Sequence, residues 1–95
     1  MAITLATESR VVVSKDQVSS DLGGEAAILN LKNSVYYGLD PIGARVWQLI
    51  QEPTTFGQIR DVLRAEYDAE PVQLEADIRD LLQELAEQGL VEITQ

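Results

Sequence analysis

Few side chains in this chain of 95 residues can do chemistry. Histidine and cysteine are both absent, which removes the commonest base at neutral pH, the commonest metal ligand and the thiolate nucleophile. What remains is sixteen Asp and Glu against seven Lys and Arg, a formal charge of −9, and three tyrosines, two of them adjacent at Tyr36 and Tyr37. A carboxylate pair can act as acid and base, but nothing sets two acids in an evident apolar cleft. Catalysis is therefore not expected, and no cofactor or metal is implied. The acids are concentrated instead: residues 65–95 hold nine of them and one base, Arg79. Because nucleic-acid affinity rests on cations that neutralise phosphates, this half should repel DNA and RNA and attract a basic partner.

The elements that position these groups follow from periodicity. At 95 residues and 45% apolar content the chain is one folded domain. No apolar run approaches the roughly 18 residues of a membrane span. The start, "MAITLATESRVVVSK", lacks the charged-then-apolar pattern of a secretory signal, so a cytoplasmic location is expected. Residues 1–9 read as a tail or marginal edge strand, and residues 10–14, "RVVVS", as a β-branched strand. "SKDQVSSDLGGE" is rich in turn formers, and Gly23-Gly24 lacks the Lys and further Gly of a phosphate loop. "AAILNL" then reads as a buried strand, Lys32, Asn33 and Ser34 as a turn, and residues 35–39 as the returning strand of a hairpin.

At Asp40 the period changes from two to 3.6. Asp40 can cap a helix and Pro41 suits its first position; Ile42, Val46, Leu49 and Ile50 form the apolar stripe, with Trp47 beside them as core. This helix should end near Glu52. A second begins with Thr54 or Thr55 as cap, Gln58 completing a capping box, and Phe56, Ile59, Val62, Leu63 and Tyr67 on one face. Pro71 opens a third, whose Leu74, Ile78, Leu81, Leu82 and Leu85 share an arc of about 100°. Beside that arc runs a strip of carboxylates, Asp77, Asp80, Glu84 and Glu87, which also suits a plain solvated face. Gly89 is the stop, and "LVEI" a short closing strand. The fold class expected is α+β, a three-stranded antiparallel sheet followed by three helices, like a winged helix-turn-helix.

The linked pieces "LNLKNSVYYGLDPIGARVWQLI", "TFGQIRDVLRAEY" and "LEADIRDLLQELAEQGLV" resemble the PqqD-like recognition elements of ribosomally made peptides, above all the stand-alone leader-binding proteins of lasso-peptide biosynthesis. The resemblance spans residues 10–93. Many relatives have Asn where this chain has Asp40, and either side chain can cap. The resemblance implies a non-catalytic adaptor that binds the leader region of a precursor peptide and delivers it to a separate leader peptidase and then a cyclase. It further implies that the leader adds as a β-strand to the third strand, in a cleft against the third helix. On this sequence the strand wall is Ser34, Val35, Tyr36 and Tyr37, and the helix wall Leu74, Ile78 and Leu81, with Asp77, Asp80 and Glu84 on the rim. Which tyrosine faces the guest is left open. Two alternatives remain: a peptide chaperone for a radical-SAM maturase of the pyrroloquinoline-quinone type, and a winged-helix DNA-binding regulator, which the acidic third helix disfavours.

Overall fold

The computed structural model describes residues 5–94. In chain order the elements are β1 (Arg10–Val13), β2 (Gln17–Asp21), β3 (Ala26–Asn30), β4 (Tyr36–Leu39), α1 (Pro41–Leu49), β5 (Thr54–Thr55), α2 (Phe56–Glu66), α3 (Pro71–Glu87) and β6 (Val91–Thr94). The α+β class holds, and a three-stranded antiparallel sheet does lead into three helices. Its membership differs from the expectation. The order is β2-β3-β4, while β1 joins a second sheet, β5-β1-β6.

The difference lies in residues 17–21, which the sequence presents as turn formers. They make a strand because β3 offers a complete ladder, from Gln17 opposite Asn30 to Asp21 opposite Ala26. Four of the five residues are exposed, so pairing selects the strand and no apolar alternation marks it. Gly23 and Gly24 supply the turn with φ of 74° and 98°. The β3-β4 turn is longer than expected: Ser34 takes a φ of 61°, and the Asn33 side chain accepts the Val35 N–H at 3.0 Å.

Helix boundaries follow the chemistry of their ends. Asp40 accepts the Gly43 N–H at 2.8 Å with Pro41 at the first position, and α1 stops at Leu49, a few residues before Pro53. Around α2, Thr55 and Gln58 form the capping box, and the two remaining first-turn donors, Phe56 and Gly57, reach the carbonyls of Ser9 and Thr7 at 2.9 Å. At the end of α3 the Gly89 and Leu90 N–H groups return to the carbonyls of Ala86 and Leu85, a Schellman closure with Gly89 at φ 74°.

Of the N-terminal expectation, residues 1–4 lie outside the described residues. Residues 5–9 form a turn, not a tail or strand: the Ser9 N–H donates to Ala6 at 3.0 Å and Leu5 is buried. Arg79 holds this turn in place by donating to the Leu5 carbonyl, with its guanidinium 4.8 Å from the Phe56 ring centre. The core lies between the helices and both sheets, with Val11, Ile28, Val46, Phe56, Leu63 and Leu82 at its centre. Trp47 belongs to it, 4% exposed, and donates its indole N–H to Ser19 at 3.0 Å.

Candidate functional site

β4 is an outer strand, paired on one side only, with Leu29 opposite Tyr36 and Ile28 opposite Tyr37. The phase of the ladder settles which backbone groups are free. The Asn30 N–H donates to the Val35 carbonyl at 2.9 Å. In an antiparallel pair the bonded couples recur every second residue, so Tyr37 and Leu39 spend their backbone groups on β3. Tyr36 and Gly38 therefore turn an N–H and a C=O each toward the open edge. The same alternation sorts the side chains: Tyr37 shares the inward face of Ile28, whereas Tyr36 stands with Leu29 on the outer face, 70% exposed.

Across from this edge runs α3. Leu74, Ile78, Leu82 and Leu85 point into the core. Turned from that stripe toward β4 are Asp77, Leu81 and Glu84. The Tyr37 hydroxyl donates to the Glu84 carboxylate; burial first, then this bond and the nearby negative charge, push the phenol up to about 12. Where α1 begins, a cavity of about 170 Å³ opens between Asp40, Ile42, Gly43 and Val46 on one side and Asp77, Ile78 and Leu81 on the other. Gly43 lines it. A Cβ there would lie 3.2 Å from the capping oxygen of Asp40 and 3.3 Å from Leu39.

The structure thus gathers Tyr37, Asp77, Ile78, Leu81 and Glu84 around one cleft. Ser34 and Val35 sit in the exposed turn before β4, and Tyr36 offers the cleft its backbone but not its ring. Leu74 is spent in the core at 3% exposure. Asp80 lies about 60° beyond Asp77 around the helix, turned to solvent. Sequence reasoning missed Ile42, Gly43 and Val46 as lining groups and took Asp40 chiefly as a cap. It also missed Asn30, a polar residue at an inward position of an apolar run; its amide donates to the Gln88 carbonyl at 2.9 Å and fastens β3 to the end of α3.

Charge is arranged asymmetrically. Arg60 and Arg79 both reach Glu75, at 3.5 and 3.7 Å, and Arg45 reaches Glu66 at 2.7 Å, all away from the cleft. Among the described residues none of Asp77, Asp80 and Glu84 forms an ion pair. The cleft rim is therefore an uncompensated acidic surface. No helix is long and apolar enough to cross a membrane among the described residues.

The family "Coenzyme PQQ synthesis protein D (PqqD)" matches residues 25–91. Three solved structures are similar. TbiB1, in complex with the TbiA(beta) leader peptide, is 36% identical at a TM-score of 0.80, over 85% of this chain and 94% of that one. A lasso peptide synthetase B1, complexed with the leader peptide, is 20% identical with TM-score 0.76, over 86% and 96%. The PqqD portion of Methylobacterium extorquens PqqCD, described as a stand-alone recognition element for ribosomally synthesised and modified peptides, is 23% identical with TM-score 0.73, over 94% and 95%. No curated protein sequence matches the chain.

Proposed function

The chain belongs to the PqqD family, and from that premise we propose that it is a non-catalytic adaptor for the leader segment of a precursor peptide in lasso-peptide maturation. The leader adds as a strand to the edge of β4, and the adaptor, acting in the cytoplasm, hands it to a leader peptidase and a cyclase. The observation that carries this reading is the open edge at Tyr36 and Gly38, facing a cleft walled by Leu81 and Ile78 and rimmed by acids that form no ion pair among the described residues.

The physics of strand addition fits these groups. Two N–H and two C=O groups can accept an antiparallel guest at about 0.5–1.5 kcal/mol net per bond. The cavity beside Asp40 and Leu81 admits one guest side chain and so supplies register. Asp77 and Glu84 favour a guest carrying Lys or Arg, through a faster encounter more than through added affinity. The reading is supported by TbiB1, whose structure was determined with a leader peptide and whose identity to this chain is 36%.

A radical-SAM partner of the pyrroloquinoline-quinone type would use the same module. The lasso pathway is preferred on the sequence resemblance and on the B1 designation that TbiB1, 36% identical, shares with the lasso peptide synthetase B1. A DNA-binding role finds little support, because Arg79, the one base of α3, is committed to Leu5, Phe56 and Glu75. The test is a fluorescence-anisotropy titration with a labelled leader from the cognate precursor peptide. Saturable binding supports the proposal, and no binding up to high micromolar concentration refutes it.

A further inference from the structure

The β2-β3-β4 sheet has a second open edge, along β2 and on the far side from β4. Two bonds bracket the β2-β3 ladder: the Leu31 N–H donates to the Asp16 carbonyl at 2.9 Å and the Leu22 N–H to the Glu25 carbonyl at 2.8 Å. Bonded couples recur at every second residue, so Val18 and Ser20 are spent on β3, while Gln17, Ser19 and Asp21 turn their backbone N–H and C=O groups outward. Open edges are commonly blunted by proline or lysine. β2, "QVSSD", carries neither.

This edge is complementary to its own reversal. A second copy laid antiparallel across β2, with Val18 opposite Val18, brings the outward groups together as bonded couples, Gln17 with Ser19 and Ser19 with Gln17. On the outer face Tyr36, Leu29 and the 53% exposed Val18 form one row across three strands, which continues into the same row of the second copy. On the inward face Asp21 comes opposite the second copy's Lys15. A cavity of about 250 Å³ lies there between β2 and α1, lined by Ala26, Ala44 and Trp47 and bordered by Asp21 and Glu25. Lys15, Asp21 and Glu25 form no ion pair among the described residues. The neighbouring register that also joins outward groups, centred on Ser19, sets Val18 against Ser20 and carries Lys15 past the end of the second copy's strand, so it loses both matches. Net charge favours the same place: residues 10–39 hold three bases and three acids, whereas residues 40–95 hold four bases and twelve acids. Two acidic molecules meet here with the least repulsion.

We propose that two copies of this chain pair through β2, antiparallel about Val18, with Lys15 of each copy in the Asp21 and Glu25 cavity of the other. The two three-stranded sheets become one, and the β4 edges lie at its opposite ends, about 24 Å apart at about 4.8 Å per strand. Neither β4 edge is covered, so the pairing goes beyond the leader-binding reading and does not depend on it. The contact is smaller than the roughly 800 Å² per partner of a standard interface. Association is therefore weak and belongs to concentrated protein.

Because the chain has no cysteine, a single introduced thiol reads the register. Val18→Cys puts two thiols on a non-bonded couple with Cα atoms about 4.5 Å apart, a separation that a disulfide spans. Ser20→Cys, exposed on the same face, leaves its two thiols about 14 Å apart in this register, which a disulfide does not span. In a glutathione redox buffer, at equal protein concentration, Val18→Cys should form the linked dimer at least about tenfold faster than Ser20→Cys. Sedimentation equilibrium of wild type at up to about 1 mM, in salt that screens the net charge, should show monomer and dimer. Lys15→Glu should weaken the dimer by at least about tenfold, and Lys15→Glu with Asp21→Lys should restore part of the loss. Circular dichroism establishes that each of these surface variants folds. Equal cross-linking rates overturn the proposal, as does a wild type that stays monomeric throughout. A double variant no tighter than Lys15→Glu alone overturns it too.

Discussion

Proline at Tyr36 should separate the open side of β4 from its paired side. The Tyr36 N–H points to the open edge, so its loss leaves the bonds to β3 intact, and proline is tolerated on an edge strand in this orientation. The ring that is lost is 70% exposed and leaves no cavity. Toward a guest strand the same change removes one donor, worth about 0.5–1.5 kcal/mol, and puts the pyrrolidine ring where the guest carbonyl must come. Together these should raise the leader Kd by at least about tenfold, the equivalent of about 1.4 kcal/mol. Tyr37→Pro is the control. Its N–H belongs to the couple with Ile28 and its side chain reaches Glu84, so proline there removes a ladder bond and should lower stability by about 1–3 kcal/mol. Thermal melts followed by circular dichroism, with anisotropy titrations on each folded variant, read both effects. A well-folded Tyr36→Pro protein with wild-type affinity would refute guest pairing at this edge. Destabilisation by Tyr36→Pro equal to that by Tyr37→Pro would refute the ladder phase itself.

Other consequences can be checked as directly. Asp77→Lys should slow leader association and flatten its salt dependence in stopped-flow measurements, and Asp80→Lys should do so less, because Asp80 faces away from the cleft. In a phenolate absorbance titration Tyr37 should ionise near 12, and Glu84→Gln should bring that midpoint only part of the way down, since burial is the larger cause. Because the folded protein holds this proton more tightly than the unfolded chain, the associated stability is complete below pH 10 and is lost between about 10 and 12, which chemical denaturation at stepped pH will show. Gly57→Ala should destabilise by about 1–3 kcal/mol in urea melts. Its Cβ would stand 2.5 Å from a Thr7 methyl and 3.0 Å from the Thr7 carbonyl, which is itself held by the Gly57 N–H.

The helices were legible because their ends are written in local chemistry. Asp40-Pro41, Thr55 with Gln58, and Gly89 each satisfy or terminate a backbone whose partners lie within five residues. The strands were less so. β2 is exposed along most of its length, and β5 is two residues long, so neither leaves a period to read. The helix wall of the site could be read from the stripe of α3, yet the cavity at Gly43 could not, because it depends on how closely α1 approaches α3. The paired tyrosines show the limit most plainly. Alternation puts Tyr36 and Tyr37 on opposite faces, but the face of each is fixed by the Asn30 to Val35 bond across a turn whose length the sequence understated.

The second sheet bears on how such a module can be joined to other proteins. Arg10 pairs with Thr94, so the first strand and the last lie side by side, in a sheet that contains no part of β4. A linker attached beyond β6 would start from that sheet and leave the open edge of β4 free. The domain is therefore built as a cassette. Spliced to an enzyme beyond β6, it would present a bound peptide at an effective concentration set by the length and stiffness of the linker.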